Sequence, residues 1–184
     1  MSIILFAACL SFIAIIYWFF NVYNGLIQVK ENIKKAFANI DVLLMQRSDE
    51  IPKLLKTVKA FVKHETEMFD NVLNAREKYL GANSIAEKAD ADDKISSALK
   101  SVFALSESYP ELKSSENFIQ LQSRISKLED NIADRREFYN ESVNNYNIRI
   151  QSLPDVWIAN TLNFKEEEMF KVPDYKKTDV DIDI

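Results

Sequence analysis

An uncharged apolar run from Ile3 to Phe20 constrains this chain more than any other stretch, and Ser11 is its only polar residue. As a helix the run spans about 27 Å, close to the hydrocarbon thickness of a bilayer. Tyr17 and Trp18 fall near its C-terminal end, where amphipathic rings favour the headgroup zone. A secretory signal needs a basic leader and a shorter apolar core, and no Lys or Arg precedes this run. The expectation is an uncleaved single-pass transmembrane anchor over residues 1–22. Lys30, Lys34 and Lys35 follow it against Glu31 alone, a bias that places the bulk of the chain on the cytoplasmic side.

Downstream the chain reads as helical. Two glycines and four prolines in 184 residues leave little material for tight β turns. The net charge of −5 argues against nucleic acid as a partner, since phosphate binding needs concentrated positive charge. Cys9 lies inside the anchor, so no disulfide is expected. From Tyr23 the residues Leu26, Ile33, Phe37, Ile40 and Leu44 recur at helical spacing. Ile51, Leu55, Val58, Val62, Phe69, Val72 and Tyr79 continue the same stripe. Pro52 interrupts it without changing its phase, which predicts a kink inside one arm that stops at Gly81.

Residues 82–93 are small and acidic and read as a loop. Asp90, Asp92 and Asp93 would be solvated caps for a helix over about Lys94 to Ser108, closed by Tyr109-Pro110. The longest clean helix is expected from Glu116 to about Ser152. Phe118, Leu121, Ile125, Leu128 and Ile132 form a coiled-coil seam there, which Tyr139, Val143, Tyr146 and Ile150 resume after a phase slip. Pro154 ends it, and Asp155 to Phe170 packs back on the bundle. The fold class predicted is all-α: an anchor, then an antiparallel long-helix hairpin completed to a four-helix-bundle-like domain over 23–170, with a flexible tail over 171–184.

Several polar residues interrupt the seam. Glu65, Arg76, Arg136 and, with its phenol, Tyr139 are expected to form a buried polar cluster, in which Arg136 neutralises Glu65 across the bundle. Three Tyr-Asn pairs, Tyr23-Asn24, Tyr139-Asn140 and Tyr146-Asn147, would hydrogen-bond between helices or line a polar ligand site. Catalytic signals are lacking. The one histidine, His64, has no second histidine four residues on, so His64-Glu65 is no zinc-protease helix. The acidic stretch 90–93 lacks the glycine and terminal glutamate of an EF-hand. Two glycines cannot build a phosphate-cradling loop, and no nucleophile elbow is present. No enzyme activity, metal or cofactor is expected.

Three blocks of residues carry a family resemblance. The first comprises Tyr23-Asn24, Ile40-Asp41-Val42, Arg47, Asp49, Ile51-Pro52, Thr57-Val58-Lys59, His64-Glu65 and Arg76. The second runs through Leu105, Glu107, Tyr109-Pro110, Leu112-Lys113, Asn117-Phe118 and Leu121-Gln122. The third has Glu129, Asn131-Ile132, Arg136, Tyr139-Asn140, Val143 and Tyr146-Asn147. In this order the chain closely resembles the LemA family of bacterial membrane proteins. Departures are local: Glu50, Lys53, Ala60 and Arg135 stand where the family usually has an apolar residue, Asn, Gly and a small residue. The resemblance implies a bacterial cell membrane protein with one anchor, a cytoplasmic helical domain and no established catalysis. The expected function is a membrane-anchored scaffold or adaptor of the cell envelope acting through an unidentified protein partner, with a homo-oligomer also open. Asp41, Arg47, Asn117 and Asn140 are the expected binding positions. The alternative is a small-ligand or ion sensor built on Glu65, Arg136 and Tyr139.

Overall fold

Once the apolar stripe of the first arm is wound as a helix, nothing in its local sequence stops it before Lys59. The computed structural model describes residues 2–62 and 65–170, and among these it has six helices and no strand. Helix α1 is Ser2–Lys59, α2 is Thr66–Gly81, α3 is Ile85–Ser106, α4 is Pro110–Lys113, α5 is Glu116–Gln151 and α6 is Asp155–Thr161. The all-α class with a long N-terminal helix is as the periodicity predicts. His64 and the tail over 171–184 lie outside the described residues.

The N-terminal part of α1 contains an eighteen-residue window of mean hydropathy 2.6, none of it buried within the structure. Ile3, Phe6 and Ile13 are 85%, 71% and 66% exposed. A continuous apolar surface of this kind is foreign to a water-facing monomer and suits the interior of a bilayer.

The described residues form two compact units. One takes in 2–38 and 137–169, and the other takes in 39–136 with Phe170. In the first, α5 runs antiparallel to α1. The Phe37 and Tyr139 rings meet edge-on at 5.9 Å, and Arg149 Nη1 donates to the Gly25 carbonyl at 3.1 Å. A Cβ on Gly25 would lie 2.4 Å from Arg149 Nη2, so a larger residue there would push the guanidinium off that carbonyl.

In the second unit α1, α2, α3 and α5 alternate in direction. Ser48 faces Arg76 and Asp41 faces Tyr79, so α2 is antiparallel to α1. Asp41 also meets Lys88 and Arg47 meets Ser96, so α3 returns parallel to α1. Phe103 packs edge-on against Phe118, and Asp92 meets Arg136, which makes α5 antiparallel to α3. The core is aliphatic: Ile40, Ile51, Leu54, Val58, Val72, Leu99, Val102 and Ile125 are fully buried.

The single arm expected to run to Gly81 is corrected in one place. Pro52 does not break α1, but Ala60 and Phe61 form a turn, and the arm becomes two antiparallel helices. A proline inside a helix removes one N–H and leaves the carbonyl four residues earlier without its donor. That carbonyl belongs to Ser48, which is buried, and Arg76 Nε donates to it at 3.0 Å. A guanidinium from α2 therefore replaces the bond that Pro52 cannot make.

The loop expected over 82–93 is also corrected. Ser84 Oγ accepts from the Glu87 N–H at 3.2 Å, while the Glu87 carboxylate accepts from the Ser84 N–H at 3.0 Å. This reciprocal cap starts α3 at Ile85, so the acidic residues lie inside the helix. Amide bonds from Asn83 and Ser84 hold the Glu87 carboxyl below its usual range.

Arg76→Ala is expected to cost about 1–3 kcal/mol, the penalty for an unpaired buried carbonyl. In the Pro52→Ala background the same change should cost much less, because residue 52 then supplies the N–H. A double-mutant cycle by denaturant unfolding measures the coupling, and equal losses in both backgrounds would refute the assignment. Ser84→Ala should cost about 1 kcal/mol by the same assay.

Candidate functional site

Starting α3 at Ile85 puts Asp92 in register with Ala89, Ile95 and Leu99 on the buried face of that helix. Asp92 is 1% exposed, and a carboxylate so placed must be paired. Its two oxygens are taken by two guanidiniums: Oδ1 by Arg47 of α1 and Oδ2 by Arg136 of α5. Arg47, also 1% exposed, adds a bond from Nη1 to Ser96 Oγ at 2.9 Å. Arg136 is half-buried, meets Asp93 Oδ1 at 3.2 Å and lies over the Phe170 ring at 4.5 Å. Burial pulls the Arg47 guanidinium down to about 10, with Glu129 acting in the opposite direction, so Arg47 stays a cation at neutral pH.

This arrangement redistributes the expected site residues. Arg136 pairs with Asp92 and Asp93 and not with Glu65. Glu65 is exposed, because the chain turn before α2 removes it from the helical phase that put it in the seam. Arg76 serves the Ser48 carbonyl, and Tyr139 OH donates to the Glu168 carbonyl at 2.9 Å. Glu65, being exposed, is therefore no buried partner of Arg136.

Among the expected binding positions, Arg47 is buried and offers no surface. Asp41, half-buried, accepts from Tyr79 OH at 3.2 Å and pairs with Lys88 Nζ at 2.5 Å, which ties α1 to α2 and α3. Asn117 is exposed at the start of α5, and Asn140 is half-buried on the same helix. Two of the departures from the family pattern compensate each other, since Lys53 Nζ meets Glu50 Oε1 at 2.8 Å.

Of the later Tyr-Asn pairs, Tyr139, Tyr146 and Asn147 hydrogen-bond to an irregular strap after α6, in place of the expected bonds between helices. Tyr146 OH donates to the Lys165 carbonyl at 3.0 Å. The Asn147 amide both donates to the Glu167 carbonyl and accepts from the Glu167 N–H, each at 3.0 Å. Lys30 Nζ meets the Glu167 carboxylate at 3.2 Å. An irregular segment has backbone groups with no ladder or helix to satisfy them, and these side chains fill that role. Burial pushes the Tyr139 phenol up to about 12, with Glu167 and Glu168 pushing the same way, and burial raises Tyr146 too.

Among the described residues, one exposed feature with room for a ligand is a groove of about 840 Å³ between α2 and α3. Asn71, Asn74, Ala75, Ser97, Ala98 and Ser101 line it, and their short side chains leave the channel between the helices unfilled. Its rim carries Glu65, Glu67, Asp90 and Asp93 against Lys78 and Lys94, an acidic excess. No described group of three or more His, Cys, Asp and Glu side chains could hold a metal ion.

The LemA family model matches residues 36–184. Magnetosome protein MamQ 2 of Paramagnetospirillum magneticum is 25% identical over 188 residues, covering 88% of this chain and 69% of that protein. Magnetosome protein MamQ of Magnetospirillum gryphiswaldense is similar at 24% identity, again over 88% of this chain and 69% of its own length. Protein LemA of Metamycoplasma hominis is 26% identical over 180 residues, covering 94% of this chain and 81% of the relative.

Asp92→Ala should destabilise the protein by about 3–5 kcal/mol, because it strands buried positive charge, whereas exposed Asp90→Ala should shift stability by less than about 0.5 kcal/mol. Denaturant midpoints of the two variants decide this. A phenol held near 12 when folded and 10.0 when unfolded contributes stability that is intact below pH 10 and lost as pH rises toward 12. The deficit of Tyr139→Phe relative to the parent chain, about 1 kcal/mol near neutrality, should therefore shrink across that window.

Proposed function

The chain belongs to the LemA family, and from that membership we propose that it is a membrane-anchored helical scaffold or adaptor of the bacterial cell envelope that docks a protein partner without catalysis. The observation that carries this reading is the unbroken helix Ser2–Lys59, which bears both the candidate membrane span and Arg47 of the buried charge network. An anchored domain meets membrane-bound partners at raised effective concentration without any new contact. The buried ionisable groups of the second unit are already committed to helix pairing, so recognition falls to exposed faces. We place the bulk of the chain on the cytoplasmic side, on the lysines that follow the span.

The α2/α3 groove is the docking face in this reading. Its acidic rim fits a basic, extended or helical segment of a partner, and electrostatic complementarity there governs partner choice and encounter rate. A second reading, a small-ligand sensor, is favoured by the groove's volume, which is within the range of ligand sites.

Photoreactive residues at Asn74 and Ser97, crosslinked in intact membranes, test the proposal. The expected product is one partner protein, reduced several-fold by Glu67→Lys and by high salt. A groove that yields no protein crosslink, while a small-molecule pool raises the thermal midpoint of the purified chain, would overturn the scaffold in favour of the sensor.

A further inference from the structure

Beyond the span itself, the first unit has a second apolar surface, at the turn between α5 and α6. Leu153 is 71% exposed, Trp157 is 64% exposed and Leu162 is 42% exposed. Ile158 and Ala159 on the opposite side of α6 are buried, so the short helix is fixed to its unit by one face and offers Trp157 on another. Three large apolar side chains exposed within ten residues mark a candidate contact surface.

The position of this surface along α1 identifies what covers it. Arg149 Nη1 bonds to the Gly25 carbonyl at 3.1 Å, and the Tyr23 ring meets the Phe164 ring at 6.4 Å. Gly25 lies five residues past Phe20, about 7.5 Å along the helix. Because α5 runs opposite to α1, Leu153, four residues past Arg149, comes back level with the end of the apolar run. The turn at Leu153, just past the end of α5 at Gln151, therefore lies close to the height where α1 leaves the hydrocarbon, with Trp157 in the first turn of α6 that follows it. Asp155, the one carboxylate of α6, is paired with Arg149 Nε at 2.6 Å, which removes a bare negative charge from that face. A tryptophan flanked by leucines at this height has the chemistry of an interfacial membrane contact.

We propose that the Leu153–Trp157 surface of α6 dips into the headgroup region of the same bilayer that holds α1, giving the protein a second, monotopic attachment. This rests on the membrane-anchored reading and adds an orientation to it: the first unit lies against the membrane on its α6 side and cannot swivel freely about the span.

The two tryptophans of the chain, Trp18 and Trp157, allow the two attachments to be read separately. The full chain is placed at one copy per lipid nanodisc made with lipids brominated either near the headgroup or deep in the acyl chain. With Trp18→Phe, emission from Trp157 should be blue-shifted, strongly quenched by the shallow bromines, weakly by the deep ones, and protected from acrylamide. Acrylamide quenching of Trp157 without bromolipid quenching overturns the proposal. With Trp157→Phe, quenching of Trp18 reports the anchor alone. Loss of that signal would mean that the membrane reading itself has failed, and the α6 contact with it. If Trp157 is exposed at one copy per disc but shielded in a parallel preparation at two copies per disc, a second chain, and not lipid, covers the surface, which also overturns the proposal.

Discussion

One buried carboxylate sets the geometry of the second unit. Asp92 is enclosed by guanidiniums from two other helices, Arg47 on α1 and Arg136 on α5. An isolated charge in such a place would be prohibitive, and a single pair would only offset the cost of desolvation. Two cations around one anion leave a surplus of positive charge, which Asp93 at the edge of the network partly answers. The triad ties three helices to one register, since Asp92 must meet Arg47 of α1 and Arg136 of α5 together. The aliphatic core packs around it.

The same principle recurs where the backbone lacks partners. Pro52 leaves the Ser48 carbonyl without a donor, and Arg76 reaches across from α2 to satisfy it. The strap after α6 has no regular structure, and Tyr139, Tyr146 and Asn147 hold its peptide groups. Each of these polar residues in an apolar seam thus answers a hydrogen-bonding need created elsewhere in the chain.

Much of the helix plan is legible in the order of residues alone. The seam from Phe118 to Ile150 marks α5 nearly to the residue, and the survival of helical phase through Pro52 is visible in Ile51, Leu55 and Val58. The start of α3 is legible too, because Ser84-Ile85-Ala86-Glu87 is a capping-box pattern, but the acidic composition after it has the look of a loop. That composition masks Asp92. With the helix begun at Ile85, Asp92 falls three residues before Ile95 and seven before Leu99, a core position that calls for a cationic partner.

By itself the sequence determined the apolar span, the all-α class and the inward faces of its helices, because helical periodicity is a local property that each stretch carries alone. Only the tertiary structure decided which charges meet. Arg47 and Asp92 are separated by forty-five residues, and Arg76 is twenty-eight from the carbonyl it serves. An arginine in a stripe looks the same whether it faces water, a carboxylate or an orphaned carbonyl. What distinguishes these cases is the group opposite, and that group is placed only when the helices have packed.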